Sequence, residues 1–199
     1  MKRLITVIAT VVALTLPAMA WAAVWDIDPV HSHVGFSVRH LMIANVKGLF
    51  EKFAGTVTLD EKDITRSRVE VSIDTASINT NVQKRDEHLR SADFFDVAKY
   101  PTMTFVSKKV AKAGKDRFKV TGDLTLHGVT RQVVLDVSEV SKETKDPWGG
   151  IRRGATASTR IKRSDFGMTW NQILEGGGVA VGDEVLITLE VELVKAQQK

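Results

Sequence analysis

In 199 residues this chain contains no cysteine, which excludes disulfides, cysteine nucleophiles and thiolate metal sites together. Setting aside Lys2 and Arg3, its 28 basic residues fall to 26 against 24 acidic, a balance that gives no footing to a nucleic-acid partner. The length suits one domain with a sizeable core.

The chain opens on Lys2 and Arg3, an apolar run from Leu4 to Leu16, and small residues at Ala20 and Ala22. That is the pattern of a secretory leader over residues 1–22. The run is shorter than the roughly 20 residues a membrane span requires, and no later stretch could cross a bilayer. The expected mature domain is therefore 23–199, exported, with a bacterial periplasm as the compartment that fits.

Beyond the leader the dominant period is two. Phe36 and Val38 alternate with Ser37 and Arg39, Phe53 to Leu59 alternates with threonines, and Val69, Val71 and Ile73 alternate with Glu70, Ser72 and Asp74. The pattern returns at Met103 and Phe105, at Phe118 to Leu124, at Val133 to Val137 and at Val185 to Val191. It predicts an all-β protein of about eight or nine strands with one helical segment. The short glycine-bearing links 113–116 and 127–130 suit hairpins, hence antiparallel order. Such a sheet must hide its edges in a barrel or a sandwich. Small residues on the dry faces, Gly55, Gly122, Ala155 and Ala157, tilt the expectation to a barrel with room inside.

Between Ile73 and Met103 stands the charged stretch Asn81-Val-Gln-Lys-Arg-Asp-Glu-His-Leu-Arg90, read as a short helix across one barrel end, capped by Asn79, Thr80 or Asn81. Asp86 or Glu87 beside His88 could form an acid–base pair. The plainer reading has Arg85, Asp86, Arg90 and Asp93 forming ion pairs that fasten the helix to the rim. His31 and His33 share a strand face and could meet one metal, but no third ligand is identifiable, so no metal site is assigned. Gly176-Gly177-Gly178 lacks the lysine and the strand–helix setting of a phosphate cradle. Asp146 to Gly150 reads as a tight turn with Trp148 as an aromatic plug, and Phe166 and Trp170 read as further plugs.

Several of these stretches are similar to the YceI family of exported polyisoprenoid-binding proteins. The resemblance rests on Arg85-Asp86-x-His88-Leu89-Arg90-Ser91-x-Asp93-Phe94-Phe95 with Tyr100-Pro101, on Gly122-Asp-Leu-Thr-Leu-His-Gly-Val-Thr130, on Asp146-Pro-Trp-Gly-Gly150 and on Asp165-Phe-Gly-Met168. Trp25-x-Ile27-Asp28, His31-Ser32 and Phe36-x-Val38-x-His40 fit as well, so the resemblance spans the mature chain in order. It implies an antiparallel eight-stranded lipocalin-like barrel with a short helix at one end, holding a polyisoprenoid or an isoprenoid quinone in an apolar lumen. It implies a carrier or store and not an enzyme, with the bound lipid as ligand and no cofactor.

The dry faces then supply the expected ligand-binding residues: Phe36, Val38, Phe53, Val57, Val71, Ile73, Phe105, Leu124, Leu135, Ala155, Ala157, Ile187 and Leu189. Arg85, His88 and Arg90 are the expected contacts to a polar head group. Where relatives often carry a bulky aromatic after the glycine that follows Trp148-Gly-Gly, this chain has Gly154-Ala155, which would widen the lumen. Alternatives are a lipid-modifying enzyme using His and Asp groups at the barrel mouth, and a stress-related protein with an incidental pocket. A homodimer is compatible with the chain, although no heptad or outer apolar stripe specifies one.

Overall fold

A computed structural model describes residues 22–196 of the chain. The predicted leader, apart from Ala22, lies outside the described residues. Among the described residues there are twelve strand segments and one α-helix: β1 (Ala23–Ile27), β2 (His33–His40), β3 (Ala44–Phe50), β4 (Phe53–Leu59), β5 (Arg68–Asp74), β6 (Ile78–Asn79), α1 (Gln83–Arg90), β7 (Thr102–Gly114), β8 (Arg117–Leu126), β9 (Val129–Ser138), β10 (Thr144–Lys145), β11 (Ile151–Lys162) and β12 (Val181–Lys195). No helix among them is long and apolar enough to cross a membrane.

All named pairings are antiparallel, and the ring closes where β11 pairs with β12 from Lys162↔Glu184 to Arg152↔Val194. The other edge of β12 is shared by two short strands in succession: β2 from Val181 to Glu190, then β1 from Leu193 to Lys195. β3 and β4 pair with β2 and β1 respectively, so each pair acts as one broken strand. With β5, β7, β8, β9 and β11 following in order, the result is the expected closed eight-stranded barrel, which leaves no long free edge.

The hairpin expected at 127–130 forms as a two-residue turn. His127 and Gly128 both take positive φ (51° and 73°), the geometry that matches strand twist. A side chain at Gly128 would meet the Tyr100 ring at 2.4 Å, so the glycine serves close packing as well as conformation. The β2–β3 hairpin was not foreseen. Its turn residues Leu41 and Met42 have φ of 48° and 61°, a conformation that apolar residues rarely take and that costs about 1 kcal/mol per residue. Leu41 N donates to Ala180 O at 2.8 Å and the Arg39 guanidinium donates to Met42 O at 2.9 Å, which hold the turn against that cost.

Three expectations about packing need correction. Trp148 is 87% exposed and plugs nothing. Its turn is as predicted, with Asp146 accepting from Trp148 N and Gly150 N, but the indole points to solvent. Gly55 and Gly122 make no room either, because Glu70 O (2.6 Å) and the Phe105 ring (2.5 Å) respectively occupy the space a Cβ would need. The helix is capped by the backbone of Val82 without a side-chain bond, and not by Asn79, Thr80 or Asn81.

Candidate functional site

The inner face of the barrel encloses an apolar cavity of about 320 Å³, within the size range of small-molecule sites. Strand alternation decides what lines it: directly opposed residues of a ladder share a face, as in Phe53↔Ile73, Val71↔Phe105, Phe105↔Leu124 and Ala157↔Leu189. All thirteen expected residues, from Phe36 to Leu189, stand on this wall. Ala155 and Ala157 keep β11 from filling the space. Phe50, Phe118, Val133, Val185, Phe94 and Phe95 join them. Ser67, Thr156, Thr159 and Arg163 also border the cavity, yet no polar atom of the wall is open to it.

The helix end is packed with apolar side chains. Phe166 (1% exposed), Leu126, Met168 and Phe94 are buried there, and Leu89 of α1 faces the cavity. Phe166 is the plug the sequence suggested. Trp170 instead lies outside it, edge-on to His88 at 4.9 Å and tilted against Phe94 at 5.2 Å. Arg163 is buried beside Phe166, donating to the carbonyls of Met168 (2.7 Å), Gly182 (3.0 Å) and Val181 (3.4 Å). Burial pushes its guanidinium below the usual value, partly opposed by Asp183. It therefore ties the start of β12 to the segment after β11.

The charged helix fastens the barrel, but by different bonds from those expected. Arg85 donates to Thr80 Oγ1 and Thr80 O at 2.8 and 3.0 Å. Arg90 donates to Ala76 O and Ile78 O at 2.7 and 2.6 Å. Asp86 is buried and accepts from Thr80 N and Oγ1. These bonds join charged side chains to backbone groups and to the Thr80 hydroxyl, and are not ion pairs; His88 Nε2 lies 2.9 Å from Asp93 Oδ2, a hydrogen-bond contact. Asp86 and His88 are thus not paired as acid and base. Arg85, His88 and Arg90 do not border the cavity, and Nε and Nη2 of both arginines and Nε2 of His88 are engaged within the protein.

His31 and His33 do not converge on one point. His31 Nδ1 lies 2.9 Å from Asp28 Oδ2, and the imidazole of His33 lies against Gly35. Asp28, His31 and Glu192 do come together, but Arg152 stands among them, reaching Asp28 at 2.7 Å, Asp146 at 2.7 Å and Glu192. The cation of this cluster is a guanidinium. Hydrogen bonds from His31 and Arg152 hold the Asp28 carboxyl well below the usual range, against its burial. Stability from a depressed carboxylate is present above its unfolded value of 3.8 and is lost as pH falls through its native value. We expect Arg152→Met to lower Tm at pH 6 by more than at pH 3. Equal losses at both pH values, followed by circular dichroism, would show that titration of the cluster's carboxylates is not coupled to folding.

A closed eight-stranded ring with one inner apolar face, a capped helix end and the motifs above can be compared with known proteins. The model of the YceI-like domain matches residues 25–193. The chain belongs to the YceI-like family. A UPF0312 protein of Vibrio parahaemolyticus is 42% identical to this YceI-like domain over 168 residues, covering 83% of this chain and 88% of that protein. Among solved structures, Burkholderia cenocepacia BcnA superposes with a TM-score of 0.73 at 26% identity, covering 83% of this chain and 98% of that one. A polyisoprenoid binding domain from Saccharophagus degradans gives 0.64 at 18% identity, covering 88% and 99%. At that identity it shares the YceI-like fold and speaks to nothing finer.

Proposed function

We propose that this protein binds an isoprenoid lipid, a polyisoprenoid or an isoprenoid quinone, and carries or stores it in the periplasm without altering it. The observation that carries the reading is the lumen: a space enclosed by a complete ring of strands, with no polar atom of its wall open to a guest. Burial of apolar surface stabilises by roughly 25 cal/mol per Å², so a long hydrocarbon can be held with few directed contacts. Membership of the YceI-like family and a shared fold with a domain described as polyisoprenoid binding support the choice of lipid.

The non-catalytic part of the reading draws on the charged helix. Its best acid–base candidates are engaged elsewhere, Asp86 with Thr80 and His88 with Asp93. We expect His88→Ala to retain a loaded polyprenyl lipid as well as the natural chain does, and both proteins to return it chemically unchanged by mass spectrometry. Conversion of the lipid by the natural chain but not by the variant would establish an enzyme instead. Fractionation of a producing cell, with the protein recovered in the periplasmic extract, tests the compartment.

A further inference from the structure

At the barrel end away from the helix, one guanidinium holds two turns. Arg152 donates to Asp146 and to Asp28, each at 2.7 Å, and also reaches Glu192. Each aspartate in turn closes its own loop: Asp28 accepts from Val30 N at 2.9 Å, and Asp146 accepts from Trp148 N at 2.9 Å and from Gly150 N at 2.8 Å. The two turns are thus fixed to each other through a single side chain.

The residues these turns present are apolar. Val30 is 82% exposed and Trp148 is 87% exposed. Isolated apolar side chains on a surface need no explanation, but two tips locked to one guanidinium form a preorganised pair. The 12 residues of β11 separate Trp148 from Phe166 at the helix end. Val140, from the loop that leads to Trp148, borders the cavity, so the exposed tip and part of the lumen wall belong to one segment.

Charge decides what such a pair fits. In this loop Asp146 is taken up by Arg152, and Glu143 by Lys195 and Arg153. Lys142, Lys145 and Glu139 are exposed, and among the described residues no ion pair takes them up, which leaves two ammoniums against one carboxylate. Lys145 stands beside the indole's turn, its Cε 4.0 Å from where a Cβ on Gly149 would lie. Tryptophan favours the boundary between hydrocarbon and head groups, and a lysine near an anionic membrane surface raises affinity roughly fivefold. A stable protein interface buries about 800 Å² on each partner, well beyond what two side chains supply.

Resting on the lipid-binding reading above for the choice of a membrane, we propose that Trp148 and Val30, with Lys142 and Lys145, dock the barrel on the surface of an anionic bilayer. The indole and the valine enter the head-group boundary, and the ammoniums face the lipid phosphates. So few anchors give a weak, reversible hold, which suits a carrier that must leave the membrane again.

The test sediments the mature protein with vesicles of phosphatidylcholine alone and of phosphatidylcholine and phosphatidylglycerol in equal parts. Three variants accompany it: Trp148→Ala, the double variant Lys142→Gln, Lys145→Gln, and Ile173→Ala, which alters a side chain 88% exposed in the segment after Phe166. Uptake of an octaprenyl benzoquinone and of squalene, each dispersed without vesicles, is measured on the same proteins. We expect the natural chain to prefer the anionic vesicles, Trp148→Ala and the lysine variant each to weaken that binding by about tenfold or more, and Ile173→Ala to bind like the natural chain. Quinone and squalene uptake should be alike in all four. Binding lost in Ile173→Ala but kept in Trp148→Ala would overturn the assignment and move docking to the helix end. Equal binding to both vesicles, unchanged by the lysine variant, would overturn the anionic partner. Self-association without vesicles that Trp148→Ala abolishes, seen by analytical ultracentrifugation, would give the surface to a second copy and overturn the membrane. Absence of vesicle binding with uptake intact would overturn the docking surface and leave the lipid-binding reading standing, whereas Trp148-dependent vesicle binding without uptake of either probe would overturn that reading alone.

Discussion

Replacing Ala155 and Ala157 together with phenylalanine should abolish uptake of a polyprenyl lipid while the protein stays folded. Both residues project from β11 into the lumen, opposite Val191 and Leu189. In a packed core such an enlargement costs about 1–3 kcal/mol through forced rotamers. Here the added rings enter a cavity of about 320 Å³, so much of that cost is offset by new apolar contact. The guest loses the same space. We expect at least about a hundredfold loss of affinity, equivalent to roughly 2.7 kcal/mol or more, with Tm nearly unchanged. Retained binding at full affinity would place the lipid outside the barrel.

Phe166→Ala should have the largest effect on stability. The ring is 1% exposed and belongs to the main apolar cluster with Leu126, Ile161 and Met168. Its loss removes transfer energy and leaves a hole beside the buried Arg163, which the barrel strands cannot collapse to fill. A cost of about 3–5 kcal/mol is the ordinary range for such a truncation. Trp148→Ala offers the contrast within the same protein: at 87% exposure it should change stability by no more than about 0.5 kcal/mol. Urea denaturation of the two variants separates them, and comparable losses in both would mean that Trp148 is packed in solution.

The lumen was legible in the sequence because a barrel strand has only one inner phase. Once Phe105 or Leu124 is placed inside, every second residue follows, and that logic, joined to the resemblance to a lipocalin-like barrel, assembled the thirteen lining residues. The same logic extended two residues back from Ala155 reaches Arg153, a position the sequence reading assigned to no face. Trp25 was noticed only as part of a motif.

Other misses have equally local causes. β3 was hidden because its entry turn uses Leu41 and Met42 in left-handed conformations where glycine or asparagine would have announced a hairpin. Asp86 and His88 are close in sequence, yet residues two apart on a helix face different ways, and each found its own partner. Arg85 and Arg90 read as ion-pair partners because their acceptors, three backbone carbonyls and the Thr80 hydroxyl, leave no trace in the charge pattern. Trp148 shows the limit of composition: the turn that carries it could be read, the direction of its ring could not.

Mass spectrometry of lipid extracted by solvent from the mature protein, purified without detergent from a secreting host, tests the lumen's role most directly. The Ala155→Phe, Ala157→Phe protein serves as the control. We expect a stoichiometric isoprenoid with the natural chain and none with the filled barrel. An empty extract from both, with no uptake of added polyprenyl lipid by the natural chain, would contradict lipid storage in the lumen.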